Sequence, residues 1–118
     1  MQDFEDDLEE DFPVVDVISR EDLKKGLADG SVVLIDVREE SEFREGRIPG
    51  SILMPLSRFR PADLPPPTPG KRIVLTCRSG QRTQQAMAIA QIQGREDVTT
   101  HYAGSMLDWV AAGEKVEV

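Results

Sequence analysis

The hydrophobic and polar positions of the chain alternate between short apolar runs and longer helical patterns. Residues 32–35 are apolar without interruption, and a second buried strand is predicted at residues 73–76. A continuous apolar run suits a strand that is buried on both faces, as in a parallel sheet. Shorter strands are predicted at residues 14–18, on the edge of the sheet, and at residues 51–54 and 98–102.

Helical patterns lie between these strands. The first helix begins at Ser19, whose spacing from Asp22 resembles a capping box, and Gly30 is its stop signal. The fourth helix is apolar at nearly every position, which predicts packing on most of its sides. Strands that alternate with helices predict an α/β fold with a parallel sheet covered on both faces. The predicted helices span residues 20–28, 40–44, 56–63, 83–93 and 105–112.

The 118 residues suit one domain, and the negative charge is concentrated at one end of it. Eight of the 22 acidic residues fall in the first sixteen positions, and the other 14 balance the 14 basic residues. We therefore predict an acidic tail over residues 1–13 and a folded domain over residues 14–118. Charge repulsion favours a disordered tail, whereas Phe4, Leu8 and Phe12 would alternatively share one face of an amphipathic helix.

Composition excludes several classes of function. No basic face is evident, so nucleic acid is not expected as a partner. No apolar run approaches the ~20 residues of a membrane helix, and the acidic start is unlike a secretory signal, so a soluble cytoplasmic protein is expected. A single cysteine excludes an internal disulfide framework, a multi-cysteine metal site and an internal resolving thiol.

Cys77, the single cysteine, lies directly after a predicted buried strand and directly before a helix. Ligands bind beyond the carboxyl ends of parallel strands, and a helix start presents free N–H groups and a positive dipole end. Arg78 and Arg82 add positive charge, Gly80 lets the main chain bend, and Ser79 is small enough for the loop to close around a ligand. We expect this setting to lower the pKa of the thiol and to bind an oxyanion or a persulfide sulfur. The alternative is a small buried hydrophobic residue, which suits these polar neighbours poorly.

Three segments of the chain resemble the rhodanese family of sulfurtransferases. CRSGQR, residues 77–82, resembles the active-site loop of that family. LIDVREESEFREGRIPGS, residues 34–51, is similar to its strand–turn signature, and YAGSMLDW, residues 102–109, resembles its C-terminal glycine–tryptophan segment. The resemblance implies a single rhodanese-like domain, in which a five-stranded parallel sheet is flanked by helices on both faces.

The resemblance also implies a sulfurtransferase that needs no metal and no other cofactor. The Cys77 thiolate would take the outer sulfur of thiosulfate or of a persulfide donor, and cyanide or an acceptor thiol would then remove it from the Cys77 persulfide. Small-molecule donors and acceptors are expected, with a protein donor or acceptor as an alternative. Arg78 and Arg82 would attract the anionic donor or, alternatively, brace the loop. The residues whose main-chain amides would hold the bound sulfur are Arg78, Ser79, Gly80, Gln81 and Arg82.

The chain departs from the family signature at two positions. Arg47 stands where histidine is usual, and Ser105 replaces the second glycine of a glycine pair. Neither residue is expected to touch the Cys77 loop.

Four other residues are assigned structural roles. Asp36 and Arg38 match the signature, and we expect a buried carboxylate that satisfies nearby N–H groups and a salt-bridge partner. His101, the only histidine, is interpreted as packed or solvated rather than as a base. Trp109 is assigned to the core.

Two other functions remain open. Phosphatases and arsenate reductases of related fold use a C-x5-R loop that is wide enough for a tetrahedral phosphate. Here Cys77 and Arg82 are spaced C-x4-R and the next position is Thr83, so the loop should suit a single sulfur atom better. The other candidate is a non-catalytic rhodanese-like binding or regulatory module, in which the apolar residues of the acidic tail would recruit a partner.

Overall fold

A five-stranded parallel sheet forms the centre of the molecule. The computed structural model describes residues 13–118. The strands are β1 (Asp16–Val17), β2 (Val32–Asp36), β3 (Ile52–Leu53), β4 (Arg72–Thr76) and β5 (Thr100–His101), and their order in the sheet is β1-β5-β4-β2-β3. The central strands β2 and β4 pair along their whole length, from Val32 opposite Arg72 to Asp36 opposite Thr76. The predicted α/β class and parallel sheet are confirmed.

Residues 13–118 contain four α-helices, and helices pack on both faces of this sheet. The Ser19 side chain caps the first helix by accepting the N–H of Asp22 at 3.1 Å, and Gly30 ends it with a φ of 80°. Both signals were predicted from the sequence, because each satisfies main-chain groups that a helix end leaves free. The helices are α1 (Arg20–Asp29), α2 (Glu40–Glu45), α3 (Arg82–Ile92) and α4 (Ser105–Ala111).

Two hydrophobic cores form because neighbouring residues of a strand point to opposite faces of the sheet. Ile35 and Leu75 are paired in register and pack against α3 on one face. Leu34 and Val74, the preceding pair, pack against α1 and α4 on the other face. A sheet buried on both faces explains why β2 and β4 read as continuous apolar runs.

The helix predicted over residues 56–63 is wrong. The segment contains two short 3-10 turns, Leu56–Arg58 and Pro61–Asp63, with extended residues between them. Pro61 has no N–H to donate and forces the preceding Arg60 out of the helical region, where its φ and ψ are −125° and 105°. The break allows Phe59 to turn into the core, where 9% of its surface is exposed.

Helix α3 is buried on one side only, so the predicted packing on most of its sides is also wrong. Ala86, Met87 and Ala90 are fully buried, whereas 70% of Ile92 is exposed. Only the face of α3 that turns toward the sheet packs against it. The first predicted strand is also shorter than expected, because the main chain of Val14 is bonded by the Gln91 side chain rather than by a neighbouring strand.

The proline-rich connector, residues 64–70, contains no strand, as predicted. The Arg95 guanidinium holds its start by donating to the carbonyl oxygens of Pro61, Leu64 and Pro65. Within residues 13–118, no helix is both long enough and apolar enough to cross a bilayer. The prediction of an acidic tail over residues 1–13 lies, except for its last residue, outside the described part of the chain.

Candidate functional site

The Cys77 sulfur lies in the loop between β4 and α3, at the carboxyl edge of the sheet. Only 1% of the residue is exposed. The N–H of Gly80 donates to the sulfur at 3.1 Å, and the N–H groups of Thr83 and Ser79 also face it. Burial alone would raise the pKa of the thiol, but these donors and the Ser105 hydroxyl outweigh it, so the pKa of Cys77 lies below its ordinary value.

Gly80 allows the loop to close around the sulfur. Its φ is 91°, and a Cβ at this position would lie 2.4 Å from the carbonyl oxygen of Ala103. A larger residue would therefore be strained and would also clash with the segment before α4. The carbonyl of Gly80 faces away from Cys77 and accepts the Thr83 hydroxyl at 3.0 Å and the Gln84 side-chain amide at 3.2 Å.

The start of α4 holds the other side of the loop. Met106 donates its N–H to the carbonyl of Cys77 at 3.0 Å, and Leu107 donates to the carbonyl of Arg78 at 3.1 Å. The first N–H groups of a helix have no partner inside the helix, so they are free to bind these carbonyls. With its carbonyls bound to α4, the loop directs N–H groups toward the sulfur.

Ser105 touches the reactive loop, so the expectation that it would not is wrong. Its Oγ accepts the N–H of Cys77 at 3.1 Å and lies 3.9 Å from the Cys77 sulfur. The same hydroxyl donates to the carbonyl of Tyr102 at 2.8 Å. The sequence signal was present as the replacement of a glycine by serine, but the 28 residues that separate Ser105 from Cys77 concealed the contact.

Thr83 and His101 form a buried polar pair behind the loop. Thr83 Oγ1 lies 2.6 Å from His101 Nδ1, in a hydrogen bond whose direction depends on the imidazole tautomer, and 3.0 Å from the carbonyl oxygen of Gly80. Burial lowers the pKa of His101, which keeps the ring neutral near neutral pH. Of the two predicted settings for His101, packed or solvated, the structure shows the packed one, with 2% of the residue exposed.

The two arginines of the loop lie in different environments. Arg82 makes a bidentate ion pair with Glu42 of α2, with distances of 2.7 and 2.8 Å, which fits the alternative that it braces the loop. The Arg82 guanidinium lowers the pKa of Glu42 to about 2. Arg78 is exposed, and within residues 13–118 it makes no ion pair.

A groove of about 490 Å³ lies beside the loop. Arg78 and Glu45 stand on its walls, and Met106, Leu107 and Val110 of α4 supply apolar surface. Leu107 and Val110 are each about half exposed, at 49% and 56%. The groove therefore offers apolar surface together with charges of both signs, of which Arg38 and Glu42 are already held in ion pairs.

The signature residues Asp36 and Arg38 have the structural roles that the sequence predicted. The fully buried Asp36 carboxylate accepts the main-chain N–H and the guanidinium of Arg38 at 2.8–3.0 Å. Arg38 also donates to the carbonyl of Gly46 at 2.8 Å, which joins the end of β2 to the end of α2. Trp109 is a core residue with 4% of its surface exposed, as predicted.

Arg47, the other departure from the signature, makes its side-chain contacts with Phe43 of α2 and with Glu117 near the C-terminus. Its guanidinium lies 4.8 Å from the centre of the Phe43 ring and 3.5 Å from a carboxylate oxygen of Glu117. It makes no hydrogen bond or ion pair with the Cys77 loop in the described part of the chain, as predicted.

The predicted sulfur-binding residues are spread around the loop. Arg78, Ser79 and Gln81 are exposed, Gly80 is buried, and Arg82 is half-buried. Two of the predicted amides, those of Ser79 and Gly80, face the Cys77 sulfur. The third main-chain donor is Thr83, one residue beyond the predicted set. The binding of an additional sulfur by the loop stays a prediction.

Comparison with known proteins agrees with this fold. Residues 19–112 match the family model of the rhodanese-like domain. A thiosulfate:glutathione sulfurtransferase from Saccharomyces cerevisiae is 36% identical over 85% of this chain and 82% of that protein. A sulfurtransferase from Allochromatium vinosum is 33% identical over 85% of this chain and 92% of that protein. The structure of a human single-domain sulfurtransferase has a TM-score of 0.67 and 29% identity, with 80% of this chain and 95% of that chain covered.

The fold and the site together define a class of α/β proteins in which a cysteine-containing loop lies at the carboxyl edge of a parallel sheet. The chain belongs to the rhodanese family. Its relatives support a sulfurtransferase role.

Proposed function

We propose that the protein is a thiosulfate sulfurtransferase that carries sulfur as a persulfide on Cys77. The observation that supports this function is a sulfur atom, shielded from water, that accepts the Gly80 N–H at 3.1 Å and whose pKa the main-chain N–H groups of Ser79 and Thr83 also lower. Such donors stabilise a negative charge on sulfur and do not need to reorganise during the reaction. A lowered thiol pKa increases the share of thiolate, which is the nucleophile.

In the first half of the cycle, the Cys77 thiolate attacks the outer sulfur of thiosulfate. A new sulfur–sulfur bond forms, the sulfur–sulfur bond of thiosulfate breaks, and its electron pair leaves with sulfite. The Cys77 persulfide carries the same single negative charge as the thiolate, so the N–H groups of the loop serve both states. Because only 1% of Cys77 is exposed, a narrow terminal sulfur suits the approach better than a bulky group.

In the second half, a nucleophile takes the outer sulfur and regenerates the thiolate. Cyanide would leave as thiocyanate, and a thiolate would leave as a new persulfide. The relative from Saccharomyces cerevisiae is named for transfer to glutathione, and the groove beside the loop offers Arg78 and Glu45 to the charged groups of a small peptide thiol. A reducing compartment such as the cytoplasm would keep Cys77 free for this cycle.

Phosphoryl chemistry is supported less well by this loop. Arg82, the arginine that closes the loop, is engaged by both oxygens of Glu42. Thr83, at the position where a C-x5-R loop has its arginine, turns its hydroxyl to Gly80 and His101. A phosphate in this loop would therefore lack a free guanidinium from either position.

Mass spectrometry of the whole protein tests the proposal directly. After treatment with thiosulfate, the protein should gain the mass of one sulfur atom, and cyanide or a reductant should remove it. Cys77→Ser should fold normally and gain no sulfur, because it lacks the thiolate. Ser31→Ala, at the opposite edge of the sheet, is the control and should gain sulfur as the native protein does. Folded native protein that takes up no sulfur would favour the binding-module alternative.

A further inference from the structure

Ser105 has a main-chain conformation that is unusual for its residue type. Its φ is 54°, and within residues 13–118 it is the one residue other than glycine with a positive φ. The residue is also completely buried. A left-handed conformation costs free energy in any residue with a Cβ, and it persists only where surrounding contacts hold it. The contacts of the Ser105 hydroxyl therefore need an explanation.

The Ser105 hydroxyl makes two hydrogen bonds, one as an acceptor and one as a donor. Its oxygen accepts the N–H of Cys77 at 3.1 Å, and its hydrogen is donated to the carbonyl of Tyr102 at 2.8 Å. That carbonyl also accepts the main-chain N–H of Ser105 at 3.1 Å. It would therefore keep one donor if the hydroxyl hydrogen turned elsewhere. The Cys77 sulfur lies 3.9 Å from the same oxygen.

We propose that Ser105 is a positioning residue whose hydroxyl hydrogen turns from the Tyr102 carbonyl to the Cys77 sulfur when that sulfur becomes negative. The turn is a rotation about the Cβ–Oγ bond, so the oxygen stays in place as the acceptor of the Cys77 N–H. No proton is transferred and no covalent bond changes. The persulfide part of this proposal rests on the proposed function, whereas the thiolate part does not.

A donor that can turn has an advantage that the fixed N–H groups of the loop lack. The hydroxyl stabilises the thiolate or the persulfide, and it returns to Tyr102 when Cys77 is a neutral thiol. It therefore favours the charged state over the neutral one, which lowers the pKa of the thiol. In catalytic terms, this differential binding selects the reactive form of the sulfur.

The charged and titratable side chains around the Cys77 sulfur make their ion pairs and hydrogen bonds with residues other than Ser105. Arg82 of α3 is paired with Glu42 of α2, and the ion pair of Asp36 and Arg38 lies at the end of β2. His101 of β5 is bonded to Thr83. Substitution of Ser105 leaves all of these groups in place, so a changed thiol pKa in such a variant reports on the hydroxyl.

Ser105→Ala and Ser105→Gly separate the role of the hydroxyl from that of the main chain. Both variants lose the hydroxyl, but alanine keeps the strained positive φ, whereas glycine adopts it freely. Ser31→Ala is the control, because Ser31 precedes β2 at the edge of the sheet opposite to Cys77. The measurement is the ultraviolet absorbance of the thiolate against pH, which needs no access to the buried sulfur.

The thiolate signal is simple to assign in this protein. Cys77 is the only cysteine. Burial and the hydrogen bond to Asp108 raise the pKa of Tyr102, the only tyrosine, so its phenol stays neutral across the range of the thiol titration. Thermal unfolding and sulfur-transfer kinetics are measured on the same samples.

We expect the titration midpoint of Cys77 to rise by roughly 0.5–1 pH unit in both Ser105 variants, as the loss of one hydrogen bond to a charged group predicts. Ser105→Gly should melt at a higher temperature than Ser105→Ala, and in both variants kcat should fall several-fold more than KM changes. The proposal would be overturned if the Cys77 titration midpoint did not rise in either variant, or rose only in the variant with the lower melting temperature. Raised midpoints in protein that takes no sulfur from thiosulfate would support the role of Ser105 and overturn the proposed function.

Discussion

Arg82 and Glu42 are joined by two short hydrogen bonds that connect the end of the Cys77 loop to helix α2. The distances are 2.7 and 2.8 Å, and both side chains are about 30% exposed. Arg82 is the first residue of α3, and its neighbour Thr83 supplies one of the N–H groups that face the Cys77 sulfur. The ion pair therefore fixes the position of a donor rather than meeting the substrate.

Substitution of either partner should loosen the loop. Arg82→Lys keeps the positive charge but loses the bidentate geometry, and Glu42→Gln removes the charge that holds the guanidinium. We expect kcat/KM for thiosulfate to fall about tenfold in each variant, which corresponds to one strong hydrogen bond. Glu40→Gln, which breaks the exposed pair of Glu40 and Arg44, is the matched control and should keep full activity. A lower KM in Glu42→Gln would show instead that a freed Arg82 binds the donor.

Arg78 should act through its charge on an anionic donor. It is exposed, stands on the wall of the groove and has no ion-pair partner in the described chain. Arg78→Ala should raise KM for thiosulfate several-fold at low ionic strength and leave kcat unchanged, and the difference should shrink as salt screens the charge. The comparison is with Arg60→Ala, an exposed arginine outside the site. Equal KM values for Arg78→Ala and native protein in dilute buffer would rule this role out.

The Cys77 thiol should react as a thiol whose pKa is lowered. Its pKa lies below the ordinary value because of the N–H groups around it, despite its burial. The rate of alkylation by iodoacetamide, plotted against pH, should therefore reach half of its maximum below the ~8.5 of a free cysteine, measured on glutathione as the reference thiol. A midpoint at or above that of glutathione would contradict the stabilisation of the thiolate by the loop.

His101 should make the stability of the fold depend on pH. Its pKa is lowered by burial, so the unfolded state, with a pKa near 6.5, takes up the proton first as the pH falls. The free energy of unfolding should therefore decrease as the pH drops below about 6.5 and continue to decrease down to the folded pKa. Urea unfolding between neutral and mildly acidic pH measures this. His101→Gln keeps an N–H donor for Thr83 and should remove the contribution of His101 to the pH dependence of the unfolding free energy. An unchanged pH dependence in this variant would mean that other groups cause it.

The acidic tail is expected to be dispensable for catalysis. All contacts of the Cys77 loop described above are made by residues 14–118. Protein that lacks residues 1–12 should therefore transfer sulfur from thiosulfate at the native rate and melt at a similar temperature. A clear loss of transfer in folded, shortened protein would mean that the segment contributes to the site.

Local signals in the sequence were sufficient for most of the fold. The apolar runs located β2 and β4, and Ser19 and Gly30 marked the ends of α1 because each satisfies groups of its own helix. The pattern also placed Cys77 in a loop at the carboxyl edge of the sheet. The prediction failed at residues 56–63, where Pro61 interrupts an otherwise helical pattern and leaves two 3-10 turns.

Contacts between distant segments were harder to predict. Ser105 reaches Cys77 only because α4 docks on the loop, and Glu42 reaches Arg82 across 40 residues of sequence. The positive φ of Ser105 has no local signature either, because serine does not favour it. These contacts depend on how helices settle on the sheet, which periodicity and capping do not specify.

The donors around the Cys77 sulfur belong mostly to the main chain, and this has a consequence for mutational tolerance. Exchanging the side chain at an exposed position such as Ser79 leaves its N–H intact, so many substitutions there should preserve sulfur chemistry. Proline is different, because it has no N–H to offer. Selection acting on Ser79 should therefore discriminate against proline far more than it favours any other residue type.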